Sequence, residues 1–103
     1  MQINNYTVEH IISLLQNKHK LGESRYYKAD LEASNLLMDL DLIIEQSQLT
    51  KKQQFIVDHY WIAGYTQEEV ASKLDITQQM VVKHCNAVKK KIERVLIDMG
   101  ELN

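Results

Sequence analysis

Thr66 to Val88 read TQEEVASKLDITQQMVVKHCNAV, and the fold of the whole chain turns on how this stretch is parsed. Thr66 with Glu69 three residues on is a capping box. The hydroxyl accepts from the first helical turn and the glutamate reaches back to the threonine N–H. It opens a short helix whose inward residues are Val70, Ala71 and Leu74. Asp75 and Ile76 then make a turn, and Thr77 caps a second helix running to about Asp98. Two capped helices separated by about three residues have the spacing of a helix-turn-helix. That arrangement needs a small residue where the helices cross, an apolar plug in the turn and an inward apolar residue early in the second helix. Ala71, Ile76 and Val81 supply them. A plain helical hairpin would need neither the small residue nor the plug.

With Val81 inward and each residue turning about 100°, the second helix sorts its side chains into two lines. The inward line is Val81, Cys85, Val88, Ile92, Val95 and Met99. The outward line is Gln79, Lys83, Asn86, Lys90 and Arg94, with Met80 and Val82 at its edges. Amides suit adenine edges, and cations suit guanine or phosphate. Thr77 and Gln78, beside the free N–H groups of the first turn, suit a phosphate or a base at the groove entrance. Gln67, opening the preceding helix, is placed to touch the DNA backbone. Lys89 to Lys91 lie too far along the helix for bases and are expected on phosphates.

Outward from this stretch the chain stays helical. Thr50 and Gln53 form an earlier capping box, followed by a helix with Phe55, Ile56, Tyr60 and Trp61 that stops at Gly64. Thr7 caps a first helix to about Lys20, carrying Val8, Ile11, Ile12 and Leu15 on one face and ended by Gly22. A second helix, from about Ser24 to Ser47, has Tyr26, Ala33 and Leu40 seven apart, with Ala29, Leu36 and Ile43 beside them. Leu31, Met38 and Leu42 fall on its opposite side, so burial on both faces is expected. The reading is all-α, about five helices, with residues 1–48 as an N-terminal hairpin for dimerisation or partner contact and 49–103 as the DNA-binding region of one compact unit.

Composition narrows the function. The 103 residues are 45% hydrophobic and 25% charged, with three glycines and no proline, too few turn formers for a β-sandwich or barrel. Glycines so far apart build no phosphate loop, which disfavours nucleotide-binding enzymes. The single cysteine, Cys85, offers no disulfide framework and reads as a small buried apolar residue. His10, His19, His59 and His84 share no metal-ligand spacing, no nucleophile has an activating context, and no cofactor or metal is expected. Asp30, Glu32, Asp39, Asp41 and Glu45 read as a solvated or partner-facing surface, and Trp61 and Tyr60 as core. The chain is expected to be no enzyme. Apolar runs fall far short of the roughly 20 residues a membrane span needs, and the start does not resemble a signal peptide, so a cytoplasmic, nucleoid-associated protein is expected.

The formal charge of −2 excludes bulk polyanion binding but hides an asymmetry. Residues 1–48 set four bases (Lys18, Lys20, Arg25, Lys28) against seven acids, a net −3. Residues 77–96 set Lys83, Lys89, Lys90, Lys91 and Arg94 against Glu93, a net +4 on one helix. That is the footprint of an anionic partner.

The stretch from Leu49-Thr50-Lys51-Lys52-Gln53-Gln54, through Tyr60 and Gly64-Tyr65-Thr66-Gln67-Glu68-Glu69-Val70-Ala71, to about Lys91-Ile92 resembles the fourth region of bacterial sigma factors and the small sigma-like regulators of bacteria and phages. The resemblance covers under half of the chain. It implies a promoter-reading helix-turn-helix whose DNA contacts fall on Thr77, Gln78, Gln79 and Lys83. Asp75 departs from it, standing where the family usually has glycine. Residues 1–48 leave no room for a promoter-melting region, so a complete initiation factor is not expected. The expected function is a sequence-specific DNA-binding transcription regulator on double-stranded DNA. A homodimer is expected because the inward line of the last helix is longer than the motif requires. The alternatives are a sigma-like adaptor docking on RNA polymerase without touching DNA, and a phage DNA-packaging subunit of small-terminase type.

Overall fold

A computed structural model describes residues 6–20 and 31–100 of the chain, with side chains from Ser34 onward in the second stretch. Gly22, Ser24, Tyr26 and Ala29 and the side chains of Leu31 and Ala33 lie outside the described residues. The protein is all-α. Its elements are α1 (Val8–Gln16), α2 (Leu31–Gln46), α3 (Lys51–Ile56) continuing directly into a π-helical segment (Val57–Ile62), α4 (Gln67–Leu74) and α5 (Gln78–Asp98). Among the described residues there is no strand.

Helix starts follow the capping chemistry. Thr7, Thr50, Thr66 and Thr77 each stand in extended conformation with the hydroxyl accepting from the third residue on. At Thr50 and Thr66 the capping box is complete, Gln53 and Glu69 accepting from the threonine N–H at 3.0 and 2.8 Å. Three of the helix ends follow glycine or asparagine. Gly64 (φ 86°) and Gly100 (φ 81°) take left-handed conformations just past the π-helical segment and α5. α1 stops at Gln16, short of Lys20, because Asn17 places its side-chain amide on the Ser13 carbonyl at 2.8 Å, where its own backbone N–H also bonds. Residues 18–20 then resume a helical course.

α5 is the spine, in contact with α1, α2, α3 and α4. One core cluster joins Ile11 and Leu15 of α1, Leu40 and Ile43 of α2, Ile56, Val57 and Trp61, Val70 and Ala71 of α4, and Val81, Cys85, Val88, Ile92, Val95 and Leu96 of α5. Each large member stabilises the fold by roughly 1.5–3 kcal/mol relative to exposure. The π-helical widening, which no sequence pattern announced, brings Val57 as well as Ile56 and Trp61 into this core.

Three expectations about the helix faces are corrected. α2 is buried on one face only: Leu37, Leu40 and Ile43 are inside, while Met38 is 65% and Leu42 43% exposed. The inward line of α5 ends at Val95 and Leu96, because Met99 lies beyond the last helical residue and is exposed. Its surplus length is covered within the chain by α2, which removes the reason given for pairing through α5. Asp39 is also not merely solvated. It accepts from the hydroxyl of buried Tyr6 at 2.8 Å, tying the start of α1 to the middle of α2.

Candidate nucleic-acid interface

The turn between α4 and α5 sets the geometry of the surface. Asp75 adopts the left-handed conformation (φ 57°, ψ 47°). Its N–H bonds the Ser72 carbonyl at 3.2 Å, and the Ile76 N–H reaches back to the Ala71 carbonyl at 3.0 Å. These are the two bonds of a Schellman ending, which normally uses glycine. Ile76 packs half-buried against the core cluster, and Ala71 and Val81 are buried, the three positions the spacing singled out. Thr77 then starts α5 at once, its hydroxyl accepting from the Met80 N–H at 3.1 Å and its carbonyl from Val81 at 3.2 Å. Among the described residues the N–H groups of Gln78 and Gln79 find no acceptor, the free donors that a helix start leaves.

The side chains of Thr77, Gln78, Gln79, Lys83, Asn86 and Lys90 are all exposed, as are those of Arg94, Met80 and Val82. Gln67 is half-buried at the first position of α4, and its Oε1 accepts from Gln78 Nε2 at 3.3 Å. Six of the seven expected contact residues therefore lie at the start of α5 or along one side of it, and the seventh, Gln67, opens α4 and reaches Gln78. Over the described residues the one ion pair is Lys18–Asp41 (3.3 Å), so the charges of Lys83, Lys89, Lys90 and Arg94 are uncommitted. Lys89 faces α1, lining a shallow groove with Glu9, Ile12 and Gln16, and Lys90 and Arg94 border a second groove against Gln46, Ser47 and Gln48.

Lys91 departs from the expectation of a phosphate contact. It is half-buried, and its ammonium donates to Gln53 Oε1 at 2.7 Å and to the Gln48 carbonyl at 3.4 Å. Gln53 is buried, so one carbonyl oxygen both completes the α3 cap and anchors α5. Gln48 itself is left-handed (φ 51°).

The remaining chemistry is quiet. The Thr66 N–H and hydroxyl hold the Glu69 carboxylate below its ordinary range. Burial pushes the Cys85 thiol up, against the opposing pull of Lys89. Among the described residues no three of histidine, cysteine, aspartate and glutamate come together as a metal site. Nor is any described helix long and apolar enough to cross a membrane. Trp61 is buried and Tyr60 half-buried. His59 stacks on Phe55 (3.8 Å between centroids) and meets the edge of Tyr65, over whose ring Lys73 lies at 5.1 Å, a cluster that braces the entry to α4. In comparisons with protein-family models, characterised proteins and solved structures, nothing matches this chain.

Proposed function

We propose that the chain is a sequence-specific DNA-binding transcription regulator that lays α5 in the major groove, with α4 across the backbone as in a helix-turn-helix. The observation that carries the reading is the exposed line Gln79, Lys83, Asn86 and Lys90, free of carboxylate partners, on a helix whose angle is fixed by a capped turn. A helix about 10–12 Å across fits a groove about 12 Å wide. Gln79, Lys83 and Asn86 lie within base reach, and exposed Met80 and Val82 suit thymine methyl groups. Lys90 stands about 16 Å further along the axis than Gln79, where phosphates pass. The resemblance to the fourth region of sigma factors agrees with this assignment and remains part of the proposal.

Fluorescence titration of duplexes enriched from a randomised pool tests it. Gln79→Ala and Lys83→Ala are each expected to weaken binding several-fold, and unaltered binding by both would sink the reading. With Lys90 and Arg94 on phosphates, log K is expected to fall with log salt at a slope of about −2 per chain.

The exposed Met38 and Leu42 of α2 favour a second reading, an adaptor that docks on RNA polymerase through this face. It predicts polymerase capture that survives Lys83→Ala and is lost in Met38→Glu. The same face is where a second protomer would pair, and sedimentation of wild type against Met38→Glu distinguishes a dimer from a monomer.

A further inference from the structure

Met38 and Leu42 stand one turn apart on the outer side of α2, both exposed, and the DNA-binding reading uses neither. Leu37, Leu40 and Ile43 fix the inner side of the helix on the core, so the outer arc is held in place. With about 100° per residue, that arc has Met38 and Leu42 at its centre, Asp41 and Glu45 along one edge and Asn35 and Gln46 along the other. All six side chains are exposed. The apolar pair is a short i, i+4 ridge, the shape that seats in a groove between the side-chain rows of another helix. It turns polar at Gln46, the next position of the same row.

The carboxylates say what such a helix carries. Asp41 and Glu45 are four residues apart, so they line one edge of the ridge about 6 Å from each other along the axis. Asp41 gives Oδ1 to Lys18 at 3.3 Å and keeps its other oxygen, and Glu45 is in no ion pair among the described residues. A nucleic acid or an anionic membrane would meet charges of its own sign here. A second copy laying α2 on α2 would bring four like carboxylates together.

We propose that the outer face of α2 docks a basic amphipathic helix of a partner protein, whose apolar side chains cover Met38 and Leu42 while its lysines or arginines meet Asp41 and Glu45. This rests on the adaptor reading, whose partner chemistry it names, and is independent of DNA binding.

The probe is a dye-labelled synthetic helix of about 18 residues, long enough to hold helical structure, with leucine at every third and fourth position and lysines beside them. Its counterpart carries glutamate for each lysine. Fluorescence anisotropy with the full chain is expected to show the basic peptide bound at least about tenfold more tightly than the acidic one. Met38→Glu is expected to weaken the basic peptide about tenfold, and Glu45→Lys to reverse the preference between the peptides, which a folding defect would not do. Glu93→Lys makes the same charge change on α5 and should leave the preference as in wild type. No binding of the basic peptide, equal binding of both, or an effect of Glu93→Lys as large as that of Glu45→Lys overturns the inference. So does sedimentation showing a wild-type dimer that Met38→Glu dissolves, since the face then belongs to a second copy. Polymerase capture lost in Met38→Glu but kept in Glu45→Lys would leave the adaptor reading standing and overturn the basic chemistry alone.

Discussion

α5 turns Gln79, Lys83, Asn86 and Lys90 to solvent, whereas α2, packed on the same core, turns out Met38 and Leu42 beside Asp41 and Glu45. Both faces point away from the core, so neither composition is set by folding. The α5 face is polar along its centre line, with Met80 and Val82 exposed only at its edges, uncommitted in charge and rigidly capped, which suits a polyanion. The α2 face exposes two large apolar side chains on an acidic helix, which a nucleic acid would repel and a protein surface would cover. The inner faces of the two helices are alike. What separates them is the outward third, and there the functional information lies.

The largest effect that sharpens this contrast is within α2 itself. Leu40→Ala, on the buried face, is expected to cost about 2–5 kcal/mol of stability, and Met38→Ala on the outer face under about 0.5 kcal/mol, measured by urea unfolding. Equal losses would mean that the outer face is covered in solution. Next comes the link between α3 and α5. Gln53→Ala removes a cap and leaves the Lys91 ammonium without its closest partner, for an expected loss of about 1–2 kcal/mol. Lys91→Ala should be destabilising too, while Lys90→Ala should leave the melting temperature unchanged and weaken only DNA binding. If Lys91→Ala behaved like Lys90→Ala, the clamp would have no structural weight.

At the turn, Asp75→Gly should raise the melting temperature or leave it unchanged, because glycine takes φ 57° freely, whereas Asp75→Val should cost about 1–2 kcal/mol. A clear loss in the glycine variant would mean that the aspartate side chain itself stabilises the turn. The smallest effect is in acid. Glu69 has a folded-state pKa below its ordinary value of 4.5, so its contribution is fully present above that pH and is lost as pH falls through the lower folded value. Thermal melts of wild type and Glu69→Gln should therefore converge as the pH falls through that lowered value, since the amide caps without titrating. A constant gap would remove the carboxylate from the account.

The C-terminal half was legible because its determinants are local. Thr66 with Glu69, Thr77 with Met80 and Asp75 with Ala71 act within a few residues, so spacing alone located the turn and the exposed line of α5. The N-terminal half depends on partners far along the chain. Two apolar stripes on α2 could not say which would meet the core, and Tyr6 bonds Asp39 across 33 residues. The π-helical Val57–Ile62 left no periodic trace, since it shifts register within an otherwise ordinary apolar helix. Lys91 was misassigned for a similar reason. In a run of three lysines nothing local marks the one whose acceptor is the Gln53 oxygen, 38 residues away.

The most direct test is amide chemical-shift mapping of the isotope-labelled protein as a mixed-sequence duplex is added at low salt. The account predicts perturbations confined to Gln67, the turn at Thr77 and the outward positions of α5 from Gln78 to Lys90, fading as salt rises, with Met38 and Leu42 undisturbed. Shifts centred on α2, or none at all, would contradict it.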